Sequence, residues 1–425
     1  MSLNQHLPRL LRSATMRRVS LNTVWLLVGR LSSQGLLFLF SILVARALGE
    51  VGLGQYAFIT SVVFVGNMLT TFGMDTLLIR DIARQEQSAP LARALVIQLA
   101  LSLLFIFVVY LSANFLPTQN VATATALRIY SLALLPMAFF TVFTAALRAH
   151  ERMDLFLIVG LVTAVTQTGG AFFLLQQQSN LYHLAWLLVI VQILGAAVGG
   201  WLCYQHFPGF TFNWSRLTTN QLQQSLRLGL PLALLTACTV FYRRMGIFAL
   251  STLADDATTG WFSAAMRLVE IGRMVPYALF GALFPVLARR ETAVPPPPQR
   301  RDTLTLFGLL AAMGAIAALL WLFAAPLITW LYGSSYAPSI PALRILAWSL
   351  PPFAAAMALS VQLIAQQHER FVLAVTGVTL LGTAVALYLA IPHWGLSGAA
   401  WTLIGSETLQ TLLLLAAPQL RNRLA

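Results

Sequence analysis

Continuous apolar runs, each about 20 residues or longer, recur along the whole chain with short polar segments between them. Runs of that length are typical of α-helices that span a bilayer, whereas the strands of a membrane barrel alternate over about ten residues. The pattern predicts an all-α polytopic membrane protein with about 12 transmembrane helices, at 22–47, 54–74, 92–113, 127–148, 155–176, 183–206, 226–250, 260–288, 303–324, 343–365, 371–391 and 396–417.

Composition agrees with a membrane protein and excludes an ordinary soluble domain. The chain is 58% hydrophobic and 9% charged, whereas soluble domains carry about 25% charged residues. Its two cysteines, Cys203 and Cys238, lie in apolar runs, so they predict neither a disulfide framework nor a metal cluster. We predict no metal site and no cofactor.

The charges are informative about topology. All 26 basic residues are arginines, and they give the chain a formal net charge of +13. Eighteen of the 26 fall in the termini and in every second connecting segment, which the positive-inside rule assigns to the cytoplasm. The distribution predicts a membrane protein with both termini in the cytoplasm, and it predicts no nucleic-acid partner.

Short stretches recur in the same order in the two parts of the chain, which indicates an internal repeat. The pairs are ALGEVGLGQYAF and LADDATTGWFSA (47–58 and 253–264), IARQE and LARRE (82–86 and 287–291), ALRIYSLALLP and ALRILAWSLPP (126–136 and 342–352), and His-Glu-Arg (150–152 and 368–370). The repeat predicts an N-lobe of helices 1–6 (residues 1–211) and a C-lobe of helices 7–12 (residues 212–425). Two six-helix lobes in the same orientation are related by a pseudo-twofold axis along the membrane normal.

The repeated His-Glu-Arg tripeptide has two interpretations. A histidine beside a carboxylate suits acid/base chemistry or half of a metal site. Both copies, however, follow a predicted helix in a cytoplasmic turn, and a duplicated turn suits a structural role better than a unique catalytic centre. We therefore favour a structural turn, with a gating contact between the lobes as the alternative.

Five arginines lie inside predicted helices, where a charge costs about 2.5–3.5 kcal/mol on insertion scales. Arg30 shares one face of helix 1 with Gln34, and the other four lie in helices 7 and 8. Together they predict a cationic cavity whose substrate-binding residues are Arg30, Gln34, Asn67, Arg243, Arg244, Arg267 and Arg273. Three acids are candidates for charge pairs or for coupling to an ion, namely Glu270, Asp75 and Glu407.

Other roles remain open for these charges. Arg243 or Arg244 reaches the outer interface if its side chain snorkels along the helix. For Arg30 and Arg267 the alternative to substrate binding is a purely structural ion pair. Glu270 is three residues from both Arg267 and Arg273, so it is within salt-bridge reach of either.

The stretches LFSILVARALGEVGLGQYAF (39–58), TFGMDTLLIRDIARQE (71–86), LRLGLPLAL (226–234), VPYALFGALFPVLARRE (275–291) and LYGSSYAPSIPALRILAW (331–348) resemble bacterial polysaccharide transporters. These belong to the multidrug/oligosaccharidyl-lipid/polysaccharide exporter superfamily, which includes the Wzx-type O-antigen flippases. The resemblance covers nearly the whole chain. It implies two six-helix lobes around a central cavity and alternating access between the two sides of the membrane.

The resemblance also implies a function in polysaccharide biosynthesis, including that of lipopolysaccharide. The expected activity is translocation of an undecaprenyl-diphosphate-linked oligosaccharide, without enzymatic catalysis. Its expected partners are the anionic lipid-linked glycan and membrane lipids, with H⁺ or Na⁺ as candidate coupling ions and the polysaccharide polymerase machinery as a candidate contact. A cation-coupled multidrug exporter of the same superfamily is the alternative. The resemblance to such exporters of organic cations implies a buried carboxylate in helix 1, whereas this chain has no acidic residue before Glu50. A membrane glycosyltransferase or polymerase is a weaker alternative.

Overall fold

Helices make up all the regular structure in the described part of the computed structural model, which comprises residues 14–85, 89–113, 121–176, 180–207, 210–212, 218–291, 300–366 and 368–416. We number them α1 (Ala14–Thr71), α2 (Met74–Gln85), α3 (Ala89–Ser112), α4 (Val121–Ser131), α5 (Leu134–Ala149), α6 (Met153–Leu175), α7 (Leu181–His206), α8 (Thr219–Leu253), α9 (Asp256–Glu291), α10 (Arg300–Leu322), α11 (Ala324–Leu331), α12 (Ser339–Ala347), α13 (Leu350–Ala365) and α14 (Glu369–Leu415). A single 3-10 turn, Ser334–Tyr336, follows α11.

The helices confirm the predicted class. Within the described ranges, six helical segments are long and apolar enough to cross a membrane, or up to eight if the bent pairs α10–α11 (64°) and α12–α13 (41°) each form one span. The charged helices α8 and α9 are outside that count, although they are 35 and 36 residues long. The chain is therefore a multi-pass, all-helical membrane protein.

Two of the predicted connections between helices are kinks, each of which joins two helices into one long element. Element α1 has 58 residues and α14 has 47, each more than twice the length that a span needs. Gly49 (φ 67°) interrupts α1 between the predicted helices 1 and 2, and Gly395 (φ 50°) interrupts α14 between the predicted helices 11 and 12. Glycine tolerates a positive φ, so one glycine is enough to end one helix and start the next without a longer polar loop.

The predicted helices 4 and 10 are each broken in two. The breaks separate α4 from α5 and α12 from α13. The end of α12 and both ends of α13 are 216 positions after their counterparts in α4 and α5. Each break lies just before a proline, Pro136 in α5 and Pro351 in α13. Proline has no N–H and its ring clashes with the carbonyl four residues earlier, so a helix cannot continue through it undisturbed.

The described residues form two compact units, neither of which is one continuous stretch. The N-terminal unit lies within Met1–Leu43, Val62–Leu116 and Asn120–Thr236, and the C-terminal unit lies within Val44–Ser61, Pro117–Gln119 and Ala237–Ala425. The N-terminal unit has a core of buried side chains such as Leu95 and Val142. Helices α13 and α14 form a core in the C-terminal unit, with Leu363 and Leu414 fully buried. The division of the repeat at residue 211 stays a prediction.

The repeat also appears in one local contact of each unit. In the N-terminal unit the guanidinium of Arg128 lies 5.9 Å from the ring centroid of Tyr110. In the C-terminal unit Arg344, which is 216 positions later, lies 5.5 Å from the ring centroid of Trp321. Each arginine is in the last turn of its helix, α4 or α12, where a cation is favoured by the helix dipole.

The first His-Glu-Arg copy forms a helix-ending turn. The Nδ1 atom of His150 lies 2.9 Å from the carbonyl oxygen of Ala146, and its ring stacks on Phe207 with the centroids 4.1 Å apart. Arg152 forms an ion pair with Asp154 at 2.9 Å. These contacts are of the structural kind that the sequence favours.

The two copies of the tripeptide are not structurally equivalent. His150 is the residue after α5, whereas the residue after α13 is Gln366. His368 immediately precedes α14, and the second copy is therefore shifted by two positions relative to the helix boundaries. Among the described residues, no group of three or more His, Cys, Asp or Glu side chains is placed to hold a metal ion.

Candidate functional site

Charged side chains gather on α8 and α9 of the C-terminal unit. The Arg267 guanidinium lies 3.3 Å from the Glu270 carboxylate, one helical turn further along α9. The two side chains are 30% and 24% exposed, so this ion pair is accessible from outside the unit. The sequence placed Glu270 within reach of two arginines, and the structure pairs it with Arg267.

Two further arginines, adjacent on α8, complete the group. Arg243 is exposed, and its guanidinium lies 5.6 Å from the ring centroid of Tyr277. Arg244 is half-buried and lies in the electrostatic field of Glu270, Arg243 and Arg267. We call Arg243, Arg244, Arg267 and Glu270 the arginine cluster. It contains three guanidinium groups and one carboxylate, so its net charge is positive.

A tyrosine from α1 lies near the arginine cluster. Tyr56 belongs to the part of α1 that lies in the C-terminal unit, is half-buried, and lies in the neighbourhood of Arg267 and Arg244. Tyr56 is not among the predicted site residues. Its alignment with Phe262 in the repeat was the available signal, because the first copy has a hydroxyl where the second has none.

Arg273 is separated from the arginine cluster by burial. Its guanidinium lies 3.0 Å from the Glu407 carboxylate of α14, and both side chains are 2% exposed. It also donates to the Ser349 hydroxyl at 3.4 Å and lies 4.4 Å from the ring centroid of Phe353. The structure thus gives Arg273 a sealed ion pair, and its role in substrate binding stays a prediction.

The remaining predicted site residues belong to the N-terminal unit. Arg30 lies in α1, but its side chain is outside the described residues. Gln34 is exposed and Asn67 is half-buried, both on α1. Asp75, at the start of α2, lies 3.9 Å from Arg148 of α5, so it is part of a charge pair within that unit. Their roles in binding and coupling stay predictions.

The repeat register is visible in a very close contact between two glycines. A Cβ atom on Gly54 would overlap the carbonyl oxygen of Asp256, and one on Gly260 would overlap the carbonyl oxygen of Glu50. Each glycine faces the residue four positions before the other, so the contact is reciprocal. Reciprocal contacts of this kind are the mark of a twofold relation between the two segments.

This register shows that the arginine cluster belongs to one copy of the repeat only. Gly54 and Gly260 are 206 positions apart, and the same offset carries the four cluster residues to Leu37, Phe38, Ser61 and Phe64. These are apolar or small. The charges are therefore present in the second copy alone and are not required by the repeated fold.

Solved structures of other proteins have a similar fold. The fold of this chain is similar to that of an inward-facing multidrug resistance MATE family transporter of the MOP superfamily (TM-score 0.75, 16% identity, 92% of this chain and 95% of that one). It also matches the lipid II flippase MurJ in an inward closed conformation (TM-score 0.72, 14% identity, 92% and 87%). A third match is a MOP superfamily transporter from Pyrococcus furiosus described by the reverse polarity of its binding pocket (TM-score 0.68, 14% identity, 97% and 97%).

These similarities show that the chain is a membrane protein with the two-lobed, helical fold of MOP superfamily transporters. The family follows from sequence, because the profile of the polysaccharide biosynthesis protein family matches residues 19–291. The chain belongs to the polysaccharide biosynthesis protein family. A search of curated proteins finds no match.

Proposed function

We propose that this protein is a flippase that moves an undecaprenyl-diphosphate-linked oligosaccharide across the bacterial inner membrane. The observation that carries the proposal is the arginine cluster, with three arginines against one carboxylate on α8 and α9. An anionic ligand is the natural counterion for the excess positive charge. Arginine suits phosphate because its planar guanidinium donates two parallel hydrogen bonds.

The position of the arginines along their helices supports a site deep in the membrane. Arg243 lies ten residues before the end of α8, and Arg267 lies eleven residues after the start of α9. At about 1.5 Å of rise per residue, both are roughly 15 Å from the turn that joins these helices. That distance is about half of the hydrocarbon thickness of roughly 30 Å. A snorkelling side chain is harder to reconcile with this depth.

Family membership supports the identity of the cargo. A lipid-diphosphate-linked repeat unit is both a glycan and a lipid, so it suits a polysaccharide biosynthesis protein embedded in a membrane. Transport by alternating access requires no change in covalent structure. The positions of the arginines in the sequence support cytoplasmic termini.

A drug exporter is the second candidate, because the fold also matches MATE family transporters. Organic cations, however, would meet a cluster with an excess of positive charge. The charge of the arginine cluster therefore favours the anionic cargo.

Complementation of a deletion strain tests the proposed flippase. We expect Arg267→Ala and the pair Arg243→Ala with Arg244→Ala to reduce export of the polysaccharide by roughly 10- to 100-fold, since a hydrogen bond to a charged group contributes about 1.5–3 kcal/mol. Lipid-linked repeat units then accumulate on the inner leaflet, where extraction and mass spectrometry measure them. Arg370→Ala is the matched control, because Arg370 is exposed at the start of α14.

Full rescue by a variant that lacks all three arginines of the cluster would contradict the proposal. Accumulation of polymerised glycan in the deletion strain, without lipid-linked repeat units, would also contradict it. Normal levels of each variant in membrane fractions establish that the loss is not a loss of protein.

A further inference from the structure

The two Arg–Glu pairs of α9 differ sharply in their access to the surroundings. Arg267 and Glu270 are 30% and 24% exposed, whereas Arg273 and its partner Glu407 are both 2% exposed. An accessible pair contributes little, and breaking it changes an equilibrium by up to about fivefold. A sealed pair leaves an uncompensated charge in the interior when it is broken. Only the Arg267–Glu270 pair is therefore suited to exchange partners.

Glu270 is surrounded by the positive charges of the cluster. Its carboxylate forms an ion pair with Arg267 at 3.3 Å and lies in the electrostatic field of Arg244 and Arg243. Between residues 257 and 290 it is the single acidic residue of the sequence, and α8 contains none. The carboxylate is thus an anion held within the arginine cluster itself.

We propose that Glu270 is a resident counter-anion that the diphosphate of the cargo displaces, and that this exchange sets the affinity. This inference rests on the proposed flippase function. With the site empty, the carboxylate pairs with Arg267, and with cargo bound, a phosphate oxygen takes its place. Both carboxylate and phosphate accept from guanidinium N–H groups, so the exchange replaces one charge-assisted hydrogen bond with another.

The exchange serves release as well as binding. Three arginines without a competing anion would hold a diphosphate strongly, and a translocating site needs binding that is favourable yet weak enough for departure. The Glu270 carboxylate lies one turn away from Arg267 and can form the ion pair again when the phosphate leaves. Glu270 therefore sets the affinity of the site, and its removal raises affinity and slows turnover.

Binding measured on the purified full-length protein in lipid nanodiscs tests this inference. The probe is undecaprenyl diphosphate, titrated while intrinsic tryptophan fluorescence is recorded, with undecaprenol as the uncharged reference. We expect Glu270→Gln to bind undecaprenyl diphosphate roughly fivefold more tightly than the wild type, by the size of an accessible ion pair. Its binding of undecaprenol should be unchanged, and it should support slower export in the deletion strain.

Glu369→Gln is the matched control, because Glu369 is exposed and lies outside the arginine cluster. It should bind the probe like the wild type. Equal or weaker binding of undecaprenyl diphosphate by Glu270→Gln, with normal binding by the control, would overturn the role of Glu270. Tighter binding accompanied by faster export would also overturn it.

Failure of the proposed function gives a different result. If Arg267→Ala binds undecaprenyl diphosphate as tightly as the wild type does, the arginine cluster does not recognise the diphosphate, whatever Glu270→Gln does. Should Glu270→Gln fail to fold, Glu270→Asp keeps the charge and retracts it from Arg267 by one methylene. That variant should also bind the probe more tightly, and unchanged binding would reject the exchange.

Discussion

Arg273→Ala or Glu407→Gln should lower the free energy of unfolding by about 3–5 kcal/mol, because each leaves the other side chain charged and uncompensated. The pair lies 3.0 Å apart with both side chains 2% exposed, so water cannot replace the missing partner without disrupting the packing. Arg273 also contacts Ser349 between α12 and α13 and Phe353 on α13. Its loss therefore loosens three helices at once.

Thermal unfolding of the purified protein, followed by intrinsic fluorescence, measures this effect, with Arg370→Ala as the exposed control. The double variant Arg273→Met with Glu407→Leu should recover most of the loss, since apolar residues of similar volume often replace a buried pair at little cost. Single variants that unfold at the wild-type temperature would show that the pair does not stabilise the C-terminal unit.

Gly54→Ala should destabilise the protein by about 3 kcal/mol, the upper part of the range for overpacking. The added Cβ would overlap the carbonyl oxygen of Asp256, and a backbone carbonyl cannot rotate away as a side chain does. Gly260→Ala should have a similar effect, because its Cβ would overlap the carbonyl oxygen of Glu50. Thermal unfolding and the yield of monodisperse protein measure both changes.

Gly377→Ala is the matched control, since a Cβ at that position of α14 meets no atom within 4 Å. Alanine is favoured over glycine in a helix by about 0.5–1 kcal/mol, so this variant should be as stable as the wild type or slightly more stable. Equal stability of Gly54→Ala and Gly377→Ala would refute the close contact between the two glycines.

The class and most helices were predictable because the signal is local. An apolar run of about 20 residues indicates a span whatever surrounds it. The breaks between helices at Gly49 and Gly395 lie where the sequence predicts them, although the positive φ of a single glycine makes each one a kink in place of a longer loop. The breaks before Pro136 and Pro351 had a visible signal, because proline disrupts the preceding helical turn.

The candidate site was predictable only in part. Arginines are rare inside apolar runs because placing a charge in the membrane interior costs free energy, so Arg243, Arg244 and Arg267 could be recognised from the sequence. The partner of Arg273 was not predictable, because Glu407 is 134 residues away in sequence. The repeat predicts that Gly54 and Gly260 are equivalent, but equivalence in a repeat does not by itself imply contact.

Reconstitution into liposomes measures the role of the arginine cluster most directly. The measured quantity is the rate at which a fluorescent undecaprenyl-diphosphate-linked oligosaccharide becomes accessible on the opposite leaflet. The wild type and Arg370→Ala should flip the lipid at the same rate, and the folded triple variant Arg243→Ala, Arg244→Ala and Arg267→Ala should be at least about 100-fold slower. Flipping by the triple variant at the wild-type rate would contradict a translocation mechanism based on the arginine cluster.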